Sequence, residues 1–436
     1  MDFRVAPPFQ SKLEWMSKFV REEVEPLDLL FPSASTMYDT KNTQARALLK
    51  PLREEVKAQG LWACHLPPEL GGKGYGQLKL ALMNEILGRS SWAPTVFGCA
   101  APDTGNAEIL ALYGTSEQKE RYLQPLLDGN IVSCFSMTEP QAGADPKEFT
   151  CKALRQGNEW VIEGEKWYSS NARFASFLIV MAVTNPQNAP HERMSMFIVP
   201  AETPGILIKR NVAGMNDDAD DGAQAYIHYD QVRVPLDAML GKPGEAFKVA
   251  QARLGGGRIH HAMRTVGLCN RAIEMMLERA VSRRTQGRLL GDHQFVKGMI
   301  ADSAIELEQF RLLVLKTAWM IDNEPHGAAR MHIGMCKVAM AKVYHDVAQR
   351  AVHLHGALGT SRDTPLAKLW MGAPMLAVAD GPTEVHKVQV ANALLKQAKP
   401  APGLFPTEHI PTKREAALAR YGNILQELGL ETRHEG

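Results

Sequence analysis

The 436 residues carry 49 Lys and Arg against 48 Asp and Glu, a formal charge of +1, so no net field gathers nucleic acid or an anionic membrane and any anionic ligand needs a locally built site. At this length the chain can bury more than one core, and two or three packed subdomains are expected. Six cysteines (Cys64, Cys99, Cys134, Cys151, Cys269 and Cys336) stand without C-x-x-C spacing or a signal peptide, which argues against disulfides or a metal site and for a cytoplasmic protein with reduced thiols; no apolar run reaches the roughly 18 residues of a spanning helix.

From Phe9 to about Gly129 the spacing predicts helices: Trp15, Phe19 and Val20 recur at helical intervals, and KLALMNEILGRS (79–90) is apolar on one face. The Pro- and Gly-rich stretches PPELGGKGYG (67–76) and APDTG (101–105) read as loops between them. Past Ile131 the texture changes to short runs of β-formers at 159–168, 176–184, 194–201 and 224–235, interrupted by Gly157-Asn158, Asn185-Pro186 and Pro204-Gly205 where the chain must reverse. The strands should end by about Gly241. Helical periodicity returns over 245–282, 292–322, 329–356 and 383–398, enough for a four-helix bundle. KPAPGLFP, from Lys399, reads as a linker before an amphipathic stretch at 413–430. The expected fold is mainly α with a central β-domain: a helical domain over 1–132, a β-domain over 133–241, a helical bundle over 242–398 and a tail over 399–436.

The run Phe135-Ser136-Met137-Thr138-Glu139-Pro140, continued by QAGADP to Pro146, sits at the first junction of this α, β, α order. Together they resemble the acyl-CoA dehydrogenase superfamily along residues 1 to 398, with several motifs in the right order. The resemblance implies an N-terminal helical domain, a middle β-barrel, a C-terminal four-helix bundle and FAD as cofactor. It implies that the turn lays Phe135, Met137 and Thr138 against the flavin ring, with Gly143 and Ala144 at the end of the same run. Fixed donors there would stabilise the negative charge of a reduced flavin.

GEKWYSSNA (164–172) is similar to the family's strand with an aromatic residue and a hydroxyl two positions later, which makes Tyr168 and Ser170 flavin neighbours where most members have Trp and Thr. SRRTQGRLLGDHQ (282–294) resembles the segment that reaches the cofactor's diphosphate and adenosine across a subunit interface. Arg283, Thr285, His293 and Gln294 would serve there, Arg283 through the planar fork that suits phosphate. HLHGALG (353–359) resembles the segment that holds the adenylate of the partner, through His353, Gly356 and Ala357. Because such a cofactor site is built from two chains, the resemblance implies a homodimer or homotetramer.

The loop ADGPTEVHK (379–387) is similar to the family's catalytic loop, which makes Asp380 the base, with Pro382, Thr383 and Glu384 beside the cofactor. Most members use Glu. Asp in an Ala-Asp-Gly-Pro context resembles a subgroup of eukaryotic members fused to a kinase-like domain and their free-standing bacterial relatives. The family's alternative base position falls on Gly257, which carries no acid, and Arg258 matches an arginine beside the active site. Ala144 stands where many members have a Ser that contacts the thioester, and Gly255 where an acidic residue meets the nucleotide end of CoA, so two polar contacts to substrate are absent. The activity implied is desaturation of an acyl-CoA by Asp380 and FAD, with electrons passing to an electron-transferring flavoprotein. Three alternatives share the sequence features: phosphate elimination from a 4-phosphohydroxyacyl-CoA in 4-hydroxy acid catabolism, a nitroalkane-oxidase-like flavoprotein, and a non-catalytic scaffold.

Overall fold

The structure, a computed structural model, describes residues 5–31, 33–70, 72–215, 217, 221–325 and 327–429. It forms two compact units, Met1–Gln389 and Val390–Gly436. Among the described residues no helix is long and apolar enough to cross a membrane.

In the first unit the N-terminal helices Pro7–Phe19, Thr43–Ala58, Gly76–Leu87 and Asp103–Tyr113 precede the sheet, and Ala246–Ser282, Gln294–Asn323, Arg330–His355 and Leu366–Val378 follow it. The two helical groups share one core. Met16, Phe19, Met83 and Leu87 pack in the same cluster as Met263, Met276, Phe310 and Met340, so the apolar stripes of both groups are buried against each other. The contact is close where helix 76–87 meets helix 246–282: a Cβ at Gly267 would stand 2.1 Å from the Glu85 carbonyl oxygen, a position only glycine fits. Helix 76–87 is capped from across the core, its Gln77 and Leu78 N–H groups donating to the Asp322 carboxylate at 2.7 and 2.8 Å.

The middle of the chain is an eight-stranded sheet of β1 (Ser133–Ser136), β2 (Lys152–Gln156), β3 (Glu159–Ser170), β4 (Phe177–Val183), β5 (Met194–Pro200), β6 (Ile206–Val212), β7 (Gln224–Pro235) and β8 (Met239–Leu240). Its order is β6-β7-β3-β1-β4-β5-β8, with β2 beside β3 and β4. β1 runs parallel to β4 and antiparallel to β3, where Phe135 pairs with Ser170. The unbroken apolar run of β4 follows from cover on both faces. Phe177, Ile179, Met181 and Val183 join a core with helices 103–113 and 246–282, while Leu178, Val180 and Ala182 point into the other face of the sheet.

Three local expectations need correction. Asp103 to Gly105 are helical rather than a loop, because Asn106, Ala107 and Leu110 bury their side of helix 103–113 and Asp103 anchors its start on Ser133. Strand pairing does not end at Gly241: residues 284–289 form a two-residue hairpin, Arg284–Thr285 against Arg288–Leu289, turned by Gln286 and Gly287 at φ 50° and 77°. The bundle gains Leu366–Val378, whose internal Pro374 weakens the sequence signal for a helix. In the second unit Ile410–Glu427 is a helix with no buried residue, begun by Pro411 in its first turn.

Candidate active site

Asp380 follows helix 366–378 in the left-handed region at φ 55°, which Asp tolerates better than most residues. Its main-chain carbonyl is clamped from two sides: Arg258 Nε donates to it at 2.9 Å and His386 Nε2 lies 3.3 Å away. Its N–H has no acceptor among the described residues. Both contacts fall on the main chain, so the carboxylate stays free of them and is 20% exposed. Oδ2 faces helix 246–282, where a Cβ at Gly257 would sit 3.1 Å from it and His261 Nε2 stands at 3.6 Å. Lys337, fully buried in helix 330–355, donates to the Leu376 carbonyl, and burial pulls its pKa down to about 8 against the attraction of Asp380.

The flavin-like turn is set by a buried ion pair. Lys166 Nζ donates to the Met137 carbonyl at 2.7 Å and to Glu139 Oε1 at 2.8 Å, and both side chains are fully buried. Glu139 also accepts from the N–H groups of Thr150 and Cys151 at 2.6 and 3.0 Å. Burial pushes its carboxyl up, but the Lys166 charge and these donors outweigh it and leave it below the usual carboxylate range. Trp167 N–H takes the Thr138 carbonyl at 2.9 Å, while the Thr138 hydroxyl has no partner among the described residues. A bulge between Lys166 and Ser169 inserts one extra residue opposite β7 and turns Tyr168 outward, at φ 53° and 49% exposed. Ser170 Oγ donates to Gln224 Oε1 at 2.8 Å, which leaves its lone pairs free. Gly143 and Ala144 lie exposed in the turn beyond.

Arg253, which sequence reasoning missed, joins the two parts. Its guanidinium lies 3.9 Å from the Phe135 ring centroid and interacts electrostatically with Asp380, while Nε donates to Asn106 Oδ1 at 2.8 Å. Asn106 Nδ2 in turn donates to Ser133 Oγ, and Ser133 donates through N and Oγ to Asp103 at 2.8 and 2.6 Å. This chain of bonds ties helix 103–113 to the start of β1 and to the long helix.

A cavity of about 280 Å³ opens beside Gly256 and Gly257, lined also by His65, Gln77, Glu108 and His260. Leu66, Pro67, Ala111 and Leu112 make much of its wall apolar. Nearby, both ring nitrogens of His65, His260 Nε2 and Gln77 Oε1 are shut away from accessible space and have no hydrogen-bond partner among the described residues. Burial, reinforced by Arg264, drives the His65 pKa down to about 3 and that of His260 well below its usual value, so both rings are neutral. Burial pushes Glu108 up to about 7 against the pull of Arg253. None of these residues stood out in the sequence, yet His260 and His261 follow Gly257 by three and four positions on one helix, a spacing that puts them near the same face.

The remaining candidates lie elsewhere on the chain. Arg283 and Thr285 are exposed, and the Arg283 side chain has no partner among the described residues. His293 Nδ1 meets Arg288 at 3.1 Å, its Nε2 is unpartnered, and Gln294 opens the next helix, exposed. The helix Ala246–Ser282 is unbroken, so Arg283 stands about 45 Å along it from Arg253 at about 1.5 Å per residue. His353, Gly356 (φ 64°) and Ala357 close helix 330–355 at about 24–30 Å from Lys337 by the same rise. Gly255 has open space beside it. Thr383 Oγ1 caps the Ala377 carbonyl at 3.2 Å, His386 N–H takes the Pro382 carbonyl, and Glu384 is exposed in the first turn of Thr383–Gln397. One chain therefore brings Arg258 and His261 to Asp380 and links Phe135 to it through Arg253, and leaves the phosphate-type residues on the far end of its long helix.

Three family models match in chain order: acyl-CoA dehydrogenase N-terminal domain over residues 11–130, middle domain over 134–232 and C-terminal domain over 244–395. The candidate acyl-CoA dehydrogenase FadE2 of Mycobacterium tuberculosis is 39% identical over 92% of this chain and 98% of its own length. Acyl-CoA dehydrogenase family member 11 of Gallus gallus is 39% identical over 89% of this chain, which spans about half (51%) of that relative. A solved structure of a candidate acyl-CoA dehydrogenase from Mycobacterium abscessus superposes with a TM-score of 0.83 at 37% identity, covering 91% of this chain and 100% of that one.

Proposed function

The chain belongs to the acyl-CoA dehydrogenase family, and from that premise we propose that it is an FAD-dependent acyl-CoA dehydrogenase whose base is Asp380. The observation that carries the reading is the clamp on the Asp380 carbonyl, which fixes the loop and leaves the carboxylate itself unspent against Gly257. The proton leaves the carbon next to the thioester for the Asp380 carboxylate, and the charge that builds on the thioester oxygen meets the free Asp380 N–H. Arg258 holds the loop, and a thioester passing Ala144 and Gly255 forgoes two polar contacts, each worth about 0.5–1.5 kcal/mol.

The residues fit a flavin. The unpartnered Thr138 hydroxyl, the outward Tyr168 ring and the free lone pairs of Ser170 suit the ring system, with Phe135 and Met137 behind them. Bound FAD would supply the acceptor for the hydrogen on the next carbon. Arg283, unpaired among the described residues, suits a diphosphate together with Thr285, His293 and Gln294, and His353, Gly356 and Ala357 suit an adenylate; with Arg283 about 45 Å along its helix from Arg253, these residues serve the site of a second copy, which makes a homodimer or homotetramer the functional form. Pro382, Thr383 and Glu384, next in the loop after Asp380, would lie beside the same cofactor. Electrons leave to an electron-transferring flavoprotein, in the cytoplasm.

One observation favours a narrower substrate. Asp380 stands in an Ala-Asp-Gly-Pro loop where most members have Glu, and relatives with such a loop include ones acting on a 4-phosphohydroxyacyl-CoA that loses phosphate. Anaerobic titration with plain, 4-hydroxy and 4-phosphorylated acyl-CoAs, following flavin absorbance and inorganic phosphate together, tests both readings. Bleaching by plain acyl-CoAs alone would remove the narrower one, and bleaching by none would remove the dehydrogenase.

A further inference from the structure

A carboxylate turns freely about its last bond, because that torsion has broad, shallow wells, and a base on the short Asp arm gains nothing from a fixed loop unless one oxygen is also held. Around Asp380 the other polar groups are already engaged. Arg258 and His386 act on its main-chain carbonyl, Lys337 on the Leu376 carbonyl, and Arg253 lies on the Phe135 ring and Asn106. Among the described residues His261 Nε2, at 3.6 Å from Oδ2, is the one cationic-type nitrogen within 4 Å of the carboxylate. It sits one helical turn beyond Gly257, whose missing side chain leaves Oδ2 room to approach the helix at all.

We propose that His261 is the positioning residue for the base: its Nε2–H holds Asp380 Oδ2, which makes Oδ1 the oxygen that takes the proton. The proposal rests on the reading of Asp380 as the base. At 3.6 Å the contact is a few tenths of an ångström longer than a hydrogen bond, and a small turn of the carboxylate closes it. The imidazole suits the task because it is neutral: burial, with Arg264, Lys337 and Arg253 adding to it, lowers its pKa against the pull of Asp380, so it carries one N–H to give and no charge that would oppose deprotonation of substrate. Oδ1 then receives the proton while the C–H electron pair passes into the thioester carbonyl.

An acyl-CoA with sulfur in place of its β-carbon isolates this step, since it has an α-hydrogen to lose and no β-hydrogen to transfer. Exchange of that α-hydrogen in deuterated buffer, read by NMR, is compared for the FAD-loaded wild type and His261→Gln, His261→Asn and His261→Leu. Gln presents an N–H near the Nε2 position and Asn does not. The proposal expects Gln within about 5-fold of wild type, Asn and Leu slower by about 100-fold, and a pH profile of exchange displaced in Asn and Leu only, with FAD content unchanged. Equal rates and profiles in all variants overturn it, as does a Gln variant as slow as Leu. Where Leu does not fold, the Gln and Asn pair decides. A wild type that binds FAD yet exchanges no α-hydrogen removes the underlying base assignment, an outcome distinct from equal exchange in every variant.

Discussion

Gly257→Ala should make the protein more stable and the enzyme slower. The residue is mid-helix with ordinary helical geometry, so alanine gains about 0.8–1 kcal/mol from reduced unfolded-state freedom. The new Cβ, however, would lie 3.1 Å from Asp380 Oδ2, and ordinary contact needs the carboxylate to retreat by about 0.4 Å. If a misplacement of about 1 Å costs about 100-fold, 0.4 Å costs about 5- to 10-fold, or about 1–1.4 kcal/mol of barrier. Anaerobic rapid mixing with acyl-CoA gives the rate of flavin bleaching, and a thermal melt gives the stability. Gly298→Ala, on an exposed helix position with nothing within 4 Å, is the control that shares the helix gain and leaves the rate alone. An unchanged bleaching rate in Gly257→Ala would refute the placement of Asp380 against this helix, and a lowered melting temperature would refute the helical argument.

Glu108→Gln should stabilise the protein at high pH only. The folded carboxyl titrates near 7 against an ordinary 4.5, so below 4.5 it contributes nothing; as pH rises through 4.5 to 7 the unfolded chain loses its proton first and stability falls, by up to about 3 kcal/mol above pH 7. Urea unfolding of variant and wild type at pH 4.5 and 8 measures the difference, and an equal gain at both would contradict it. Lys166→Met should cost about 3–5 kcal/mol by leaving Glu139 buried and unpaired, and the double variant with Glu139→Gln should recover most of it. Because Glu139 is held below its ordinary range, the contribution of the pair is present above that range and fades as acid protonates the carboxylate. A cycle of the two single variants and the double by chemical denaturation checks this, and additive losses would contradict coupling.

The alternation of helical and strand periods made the order of elements legible, because each segment's buried face repeats at its own spacing. Strands 159–168, 194–201 and 224–235 were visible almost to their ends for that reason. β1 was hidden because four residues are too few to show a period, and β6 because Ile206–Val212, Lys209 and Arg210 included, is an exposed edge with no alternating pattern. The proposed base, Asp380, could be picked out because the residues of its loop are consecutive in sequence. Arg253, Glu108, His65 and His261 were not: they come from helix 103–113, helix 246–282 and the loop after Gly60, and only the crossing of elements brings Glu108 and His65 to one cavity, His261 to Asp380 and Arg253 to Phe135. In a single sequence a buried functional polar residue on a helix looks like any other polar residue there. Loss of the side chain at Gly257 was the nearest thing to a signal, since glycine in a long helix costs stability and so asks for a reason.

The account turns on Asp380 as the base. Wild type and Asp380→Asn, both purified yellow with bound FAD, are mixed anaerobically with the acyl-CoA that bleaches the wild type best. The wild type should lose its flavin absorbance within the mixing experiment while the variant keeps its colour, slowed by at least about 100-fold. A variant that bleaches at the wild-type rate would contradict the account.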